Sequence, residues 1–309
     1  MIRYILKRII QVIPVMIGVS FLVFFLMSNA QGDAVSTIAG ADATVEQVEA
    51  LREEMGLNDP MLVQYGRYMW NLVRGDMGTS YISGRDVLQT YLSFLPRTVE
   101  LAVAGVFLSV VISIPLGIIS ALKRGTVIDG GAMLFGLLGM SMPIFWLGLL
   151  LIIAFSLKLR WFPSAGSEGL ISLVLPAITV GITQAAVICR TTRSSMLDVL
   201  SQDYIRTAKA KGVSRRKVIM KHALRNALIP IITVTGTTLG TTLGGAVLTE
   251  SVFSWPGVGR LIIDSINQRD TPLVMGCLIL TTMLVSLTIL LVDIIYAFVD
   301  PRIKAMYTK

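Results

Sequence analysis

The residue types that do chemistry in proteins are scarce in this chain and poorly grouped. There is one histidine, His222, and there are two cysteines, Cys189 and Cys277. His222 lies in a basic stretch outside the apolar runs and reads as a surface or loop-packing residue. A nucleophilic serine inside a membrane would need a base beside it, and none is in reach. No Gly-x-x-x-x-Gly-Lys-Ser/Thr loop is present to cradle nucleotide phosphates, and no His-Glu-x-x-His pair is present to hold zinc. One histidine and two scattered cysteines make no metal-ligand cluster. Both cysteines sit in apolar runs, so buried unreactive thiols are expected rather than a disulfide. The sequence predicts no catalytic residue and no metal site.

Charge inside the apolar runs is the next place to look, because proton- and ion-coupled carriers put acids or bases there. Glu100 and Asp293 fall near the ends of such runs and the interiors are nearly free of charge. If the chain moves a solute, the energy comes from elsewhere. The rival reading, a secondary transporter or channel, requires ion-liganding residues mid-span.

The elements that carry these residues are set by composition. Of 309 residues, 54% are hydrophobic and 15% are charged. Mean hydropathy is +0.73. A soluble domain carries about 25% charged residues, so this chain lacks the polar surface to live in water. Six apolar runs are long enough to cross about 30 Å of hydrocarbon at about 1.5 Å per residue. They are Ile9–Ser28, Thr98–Leu122, Gly131–Leu157, Leu170–Cys189, Ala227–Thr249 and Pro272–Phe298. The fold class expected is an all-α membrane protein of six transmembrane helices. The first run follows Arg3, Lys7 and Arg8 and ends in Ser28-Asn29-Ala30, which resembles a signal peptide. Its length favours a retained span.

Placing the N-terminus in the cytoplasm puts 18 of the 27 Lys and Arg residues inside. Thirteen acids fall outside and four inside. This is the positive-inside pattern, with both termini cytoplasmic. The net charge of +8 is thereby a topology signal, and nucleic acid is not needed to explain it. Three parts are expected: residues 1–28, an extracytoplasmic helical segment 29–97, and a five-helix core 98–309 with a cytoplasmic loop 190–226. In the outer segment, Thr44 with Gln47 three residues on signals a capped helix ending near Gly56. Asp59-Pro60 opens a second, running to about Arg74. The inner loop holds ten Lys and Arg and two acids, and reads as a helix–turn–helix broken at Gly212-Val213-Ser214.

The fifth run carries Gly236, Gly240 and Gly244 at a period of four, with Thr237, Thr238, Thr241 and Thr242 between. Two compatible roles are open. The glycines allow close helix packing, or the Gly–Thr face makes a smooth, mildly polar wall along a translocation path, facing a partner subunit. The turn after it holds Glu250, Phe253, Trp255, Pro256 and Gly257. That turn is expected at the outer mouth, where Glu250 meets a substrate amino group or where Trp255 and Pro256 only anchor the turn at the interface.

Several segments together carry a family resemblance. They are Asp203-Tyr204-Ile205-Arg206-Thr207-Ala208-Lys209-Ala210-Lys211-Gly212 and His222-Ala223-Leu224-Arg225-Asn226-Ala227-Leu228-Ile229-Pro230. With them stand Gly56-Leu57-Asn58-Asp59-Pro60, Gln64-Tyr65, Gly75-Asp76-Met77-Gly78-Thr79-Ser80, Glu250 through Gly259, and Asp300-Pro301-Arg302. In this order they resemble ABC importer permeases of the dipeptide, oligopeptide, glutathione and nickel family, over essentially the whole chain. Where the general permease loop starts Glu-Ala-Ala, this chain has Arg206-Thr207-Ala208, with the loop glycine kept as Gly212.

The resemblance implies a transport subunit and not an enzyme, in the cytoplasmic membrane of a prokaryote. Its implied partners are a second, homologous permease, two cytoplasmic ATPases that bind the ATP and Mg, an extracytoplasmic solute-binding protein, and lipid. The coupling loop would be Asp203, Tyr204, Arg206, Thr207, Ala208, Lys211 and Gly212, with Ala208 and Gly212 letting a short helix enter a cleft on the ATPase. Arg215, Arg216 and Lys217 flank it, facing either the ATPase or lipid phosphate. Di- or oligopeptides are the implied cargo, with nickel, a metal chelate or glutathione as alternatives.

Overall fold

The computed structural model describes residues 2–29, 34–39 and 43–299. The Asp300-Pro301-Arg302 motif lies outside them. The described chain is helical, with one isolated antiparallel bridge, Thr79 to Asp86. Its helices are α1 Ile2–Asn29, α2 Ala34–Ala39, α3 Val45–Glu54, α4 Met61–Val73, α5 Val87–Leu122, α6 Val127–Ser141 and α7 Ile144–Leu151. A π-helical stretch, Ile152–Lys158, continues α7. Then come α8 Leu170–Leu200, α9 Asp203–Ala210, α10 Arg215–Lys217, a second π-helical stretch Val218–Ala223, α11 Leu224–Gly245, α12 Val247–Val252, α13 Val258–Asn267 and α14 Thr271–Val299.

Five helical stretches are long and apolar enough to cross a bilayer: α1, α5, α8, the α10–α11 run and α14. The third expected run, Gly131–Leu157, differs from a plain span. Its two halves, α6 and α7, meet at 104°. The break falls at Pro143, which has no N–H to give the helix. It also forces Met142 before it into extended backbone, at φ −78° and ψ 130°. An apolar-run count registers length and hydropathy but not direction, so it reads through this corner.

The core forms where small residues let helices meet. On α5, a Cβ added to Gly105 would lie 2.6 Å from a methyl of Val180, and one on Gly117 would lie 2.6 Å from Cβ of Thr192. Both neighbours are on α8, so α5 and α8 touch nearly backbone to backbone. The period-four glycines of α11 do the same on α14. Added Cβ atoms would stand 2.3 Å from Val292 at Gly236, 3.1 Å from Ile289 at Gly240, and 2.7 Å from Val285 at Gly244. The packing role is therefore the one these glycines fill. Gly240 is buried against α14, so the wall role is corrected there; Gly236 is half-buried and Gly244 keeps an exposed side. Thr237 and Thr241 point elsewhere and are exposed, while Thr238 and Thr242 are buried.

Replacing Gly236 by leucine is expected to cost about 1–3 kcal/mol, since the new side chain must displace Val292. Thr237→Leu, one residue on but exposed, should change stability by less than about 0.5 kcal/mol. Thermal unfolding of the two variants in detergent checks this. Equal midpoints would overturn the seam.

The segment before α5 is tied to the far end of the chain. The Thr44 side chain accepts from Gln47 N–H while the Gln47 side chain accepts from Thr44 N–H, the expected capping box. Gly56 ends α3 at φ +65°, with Gly56 N–H on Glu53 O and Leu57 N–H on Arg52 O. Pro60 stands just before α4 at its N-cap position. Downstream, the Ser80 hydroxyl and the Tyr81 N–H both donate to Asp270, next to the start of α14.

Candidate functional site

Three clusters of polar residues stand out, at two ends of the bundle. At the basic end, α9 leaves α8 after Ser201-Gln202. Ile205 and Ala208, one turn apart, both point inward. They join Met196, Val218, Ala223, Ala227 and Ile231 in one apolar cluster built from α8, the second π-helical stretch and α11. Asp203, Tyr204, Arg206, Thr207, Lys211 and Gly212 are exposed on the outer side. The Tyr204 hydroxyl accepts from the Asn226 amide at 2.9 Å, and Arg206 lies 3.7 Å from Asp203. Gly212 closes the helix at φ +73°, with Gly212 N–H on Lys209 O and Val213 N–H on Ala208 O. The break at Gly212 is as expected, but Ala208 is corrected. Its small side chain seats α9 on its own chain and does not face a partner.

Close to this end lies an ion pair that sequence reading passed over. Asp129, in the first turn of α6, takes a two-pronged contact from Arg193 of α8, at 2.7 and 2.9 Å. Ser120 of α5 donates to the same carboxylate at 2.6 Å, and Gly125 N–H at 2.9 Å. Asp129 and Ser120 are buried. One carboxylate thus gathers α5, α6, α8 and the turn between α5 and α6. The only signal in the sequence is an acid two residues into an apolar helix. Its partner is 64 positions away, beyond any local pattern.

At the opposite end, the residues expected at an outer mouth do come together, but inside the chain. Glu250 is fully buried. Thr98 of α5 donates its hydroxyl to Glu250 Oε1 at 2.8 Å, and Arg260 N–H donates to Oε2 at 3.0 Å. The same Thr98 oxygen accepts from Val258 N–H at 2.8 Å, so its own proton is directed at the glutamate. Added Cβ atoms at Gly257 and Gly259 would fall 2.3 Å and 2.9 Å from Glu250 carboxyl atoms. Those glycines are needed because the carboxyl group fills the space. Trp255 is buried among Leu101, Leu173, Ala177, Val180 and Ala246, and its Nε1–H donates to Arg97 O at 2.8 Å. Phe253 is buried, Gly257 is buried and Pro256 is half-buried.

Two expectations are corrected here. Glu250 has no carboxyl oxygen free for a substrate amino group, and Trp255 is a core anchor rather than an interfacial one. Burial pushes the Glu250 carboxyl above the usual carboxylate range, while the Arg260 N–H, the Thr98 hydroxyl and the Gly259 N–H oppose that rise.

A bundle of helices long and apolar enough to cross a bilayer, with a short helix seated on one end and a loop locked by a buried acid at the other, has the build of an integral membrane protein. A family model described as "Binding-protein-dependent transport system inner membrane component" matches residues 113–305. A second, for the N-terminal part of such membrane components, matches residues 1–102. The chain is 41% identical to the oligopeptide transport system permease protein AppB of Bacillus subtilis, over 98% of this chain and 100% of that one. It is 40% identical to the glutathione transport system permease protein GsiC of Escherichia coli, over 98% and 99%. Among solved structures, an inward-facing MetNI methionine ABC transporter chain shares the fold at a TM-score of 0.59. That match has 20% identity and covers 69% of this chain and 97% of the other. The chain belongs to the family of binding-protein-dependent inner membrane components: it is an integral membrane permease subunit of an ABC importer.

Proposed function

We propose that this permease carries di- or oligopeptides into the cytoplasm of a prokaryote, as one of two homologous membrane subunits driven by two separate ATPases. The carrying observation is α9. Its inner face, Ile205 and Ala208, is fixed to the bundle, and its outer face, Asp203, Tyr204, Arg206, Thr207 and Lys211, is free to meet another protein. A short helix held rigidly by one face passes a push on its other face to α8 and α11, on which it sits. Transport then needs two arrangements of packed helices and no covalent step in this chain. The ATP and Mg belong to the ATPases. Peptide cargo is supported by the names of the relatives, which include oligopeptide and dipeptide permeases. The glutathione relative fits the same reading, because glutathione is itself a small peptide.

In this reading both termini and the basic loop are cytoplasmic, and segment 29–97 faces the solute-binding protein. Exposed Thr237 and Thr241 contribute hydroxyls to the path between the two permeases.

Reconstitution of the four-subunit membrane complex with its binding protein in vesicles tests this. ATP-dependent uptake of a labelled dipeptide or tetrapeptide is expected. Ile205→Asp puts a charge into the seat of α9. It should cut uptake roughly tenfold or more, the effect of about 1.4 kcal/mol of lost docking, while the spans stay assembled. Uptake without ATP, or unchanged uptake in the variant, would overturn the reading.

A further inference from the structure

α8 carries a polar strip on a helix long and apolar enough to cross a bilayer. Thr183, Gln184, Val187, Arg190, Thr191 and Ser194 are all half-buried or exposed. At 3.6 residues per turn they fall within about 120° of one side. Gln184 stands near the middle of the 31-residue α8, about 20 Å from either end. The strip begins abruptly. On the same side toward Leu170, Val180, Thr179 and Pro176 are buried, with Val180 against Gly105 of α5. Gln184 therefore sits at the closed end of a surface that is open from there to the basic end of the bundle.

A matching strip lies on α11, where Thr233, Thr237 and Thr241 are half-buried or exposed. The two helices run antiparallel and touch beside the strips. Gln184 Nε2–H donates to Thr242 Oγ1 at 3.4 Å, and Ile188 joins Ala227 and Ile231 in one apolar cluster. Each strip lies roughly 90° around its helix from that contact, and in antiparallel right-handed helices this puts both on the same side. The chemistry of this joint wall decides what covers it. Elsewhere the exposed residues of the apolar helices are apolar: Val103, Phe107 and Val111 on α5, and Leu134, Leu137 and Leu138 on α6. Those suit acyl chains. The Gln184 carboxamide does not. Its Oε1 and second N–H have no partner among the described residues, and a bare amide is costly in hydrocarbon. Water, or a solute that brings its own polar groups, has to meet it.

We propose that α8 and α11 together line the translocation path, and that Gln184, at its closed end, binds a backbone amide of the passing peptide. This rests on the peptide reading above. A carboxamide offers a donor and an acceptor side by side, the complement of a peptide group. It grips the backbone that all peptides share and ignores their side chains, which suits a carrier of varied sequences.

The test uses the assembled transporter in vesicles, with Cys189 and Cys277 replaced by alanine. Gln184→Cys, Val187→Cys and Thr191→Cys are compared with Phe107→Cys and Leu137→Cys in reaction with a charged, water-soluble thiosulfonate present on both sides. Thiolates form only where water reaches, so the first three should react about tenfold faster or more. Triglycine in excess should slow the reaction at Gln184→Cys. In uptake of labelled triglycine, Gln184→Leu should lose about tenfold. Thr242→Val removes the same interhelical bond from a buried position and should keep uptake within about threefold. Slow reaction at all three α8 positions would put the strip in a dry seam or in lipid and overturn the proposal. Fast reaction without protection by triglycine, or equal uptake losses in Gln184→Leu and Thr242→Val, would make Gln184 a helix contact only and overturn its binding role. Each of these is read while the cysteine-free parent still takes up peptide. A parent with no ATP-dependent uptake would instead overturn the peptide reading itself.

Discussion

Replacing Glu250 by alanine is expected to destabilise the chain by about 3–5 kcal/mol, from the loss of acceptors to Thr98, Gly259 and Arg260. Each buried donor left without a partner costs about 1–3 kcal/mol. The Thr98 hydroxyl loses its acceptor while still bound to Val258 N–H, so the damage spreads to the start of α13. Glu250→Gln keeps the shape but turns an amide toward donors, and should cost about 1–3 kcal/mol. Thermal unfolding in detergent checks both, and an unchanged midpoint in Glu250→Ala would remove the residue from this positioning role.

The pH dependence is a second readout. Burial, the largest effect, raises the Glu250 carboxyl in the folded state, so the folded chain holds its proton to higher pH than the unfolded chain. Between the ordinary carboxylate range and the raised value, the folded state therefore binds more protons and stability falls as pH rises. Outside that window the contribution is level. Glu250→Gln should lose this slope. A slope identical to that of the parent chain would show that other groups cause it.

Replacing Asp129 by alanine is the second large effect. The two side chains of the pair are 8% and 23% exposed for Asp129 and Arg193. Removing one partner leaves a guanidinium with no counter-charge and Ser120 with no acceptor. The expected cost is about 3 kcal/mol, the low end for a broken buried pair, because Arg193 keeps some solvent. Asp129→Leu combined with Arg193→Met removes both charges and should recover most of that loss. The same pair of measurements on uptake separates two roles. If the double variant is stable but transports poorly, the ion pair also holds α6 and α8 in register during the transport cycle. If Asp129→Ala alone leaves the unfolding midpoint unchanged, the pair contributes nothing to holding α5, α6 and α8 together.

Much of the helical order was legible in the residues. Thr44 with Gln47 marked the start of α3, and Gly56 its end, because caps and left-handed turns depend on residue types a few positions apart. The break at Gly212 was legible for the same reason. The long apolar runs announced α1, α5, α8, α11 and α14, since about twenty apolar residues in a row have few other homes. Motifs spread along the chain carried the family.

The direction that a side chain faces was not legible. Gly236, Gly240 and Gly244 have the spacing of a close seam, and spacing is the same whether the neighbour is α14 or another subunit. Ala208 could turn inward or outward until Ile205 and the cluster around Met196 fixed the roll of α9. Pro143 could kink a span slightly or turn it by 104°, and the packing of α6 and α7 on α8 decided that. Glu250 and Thr98 are 152 positions apart, and Asp129 and Arg193 are 64. By itself the sequence determined a chain of apolar helices, their caps, their breaks and their family. The tertiary structure alone decided which polar groups are buried together, because a buried charge is tolerated only where packing delivers its partners from distant parts of the chain.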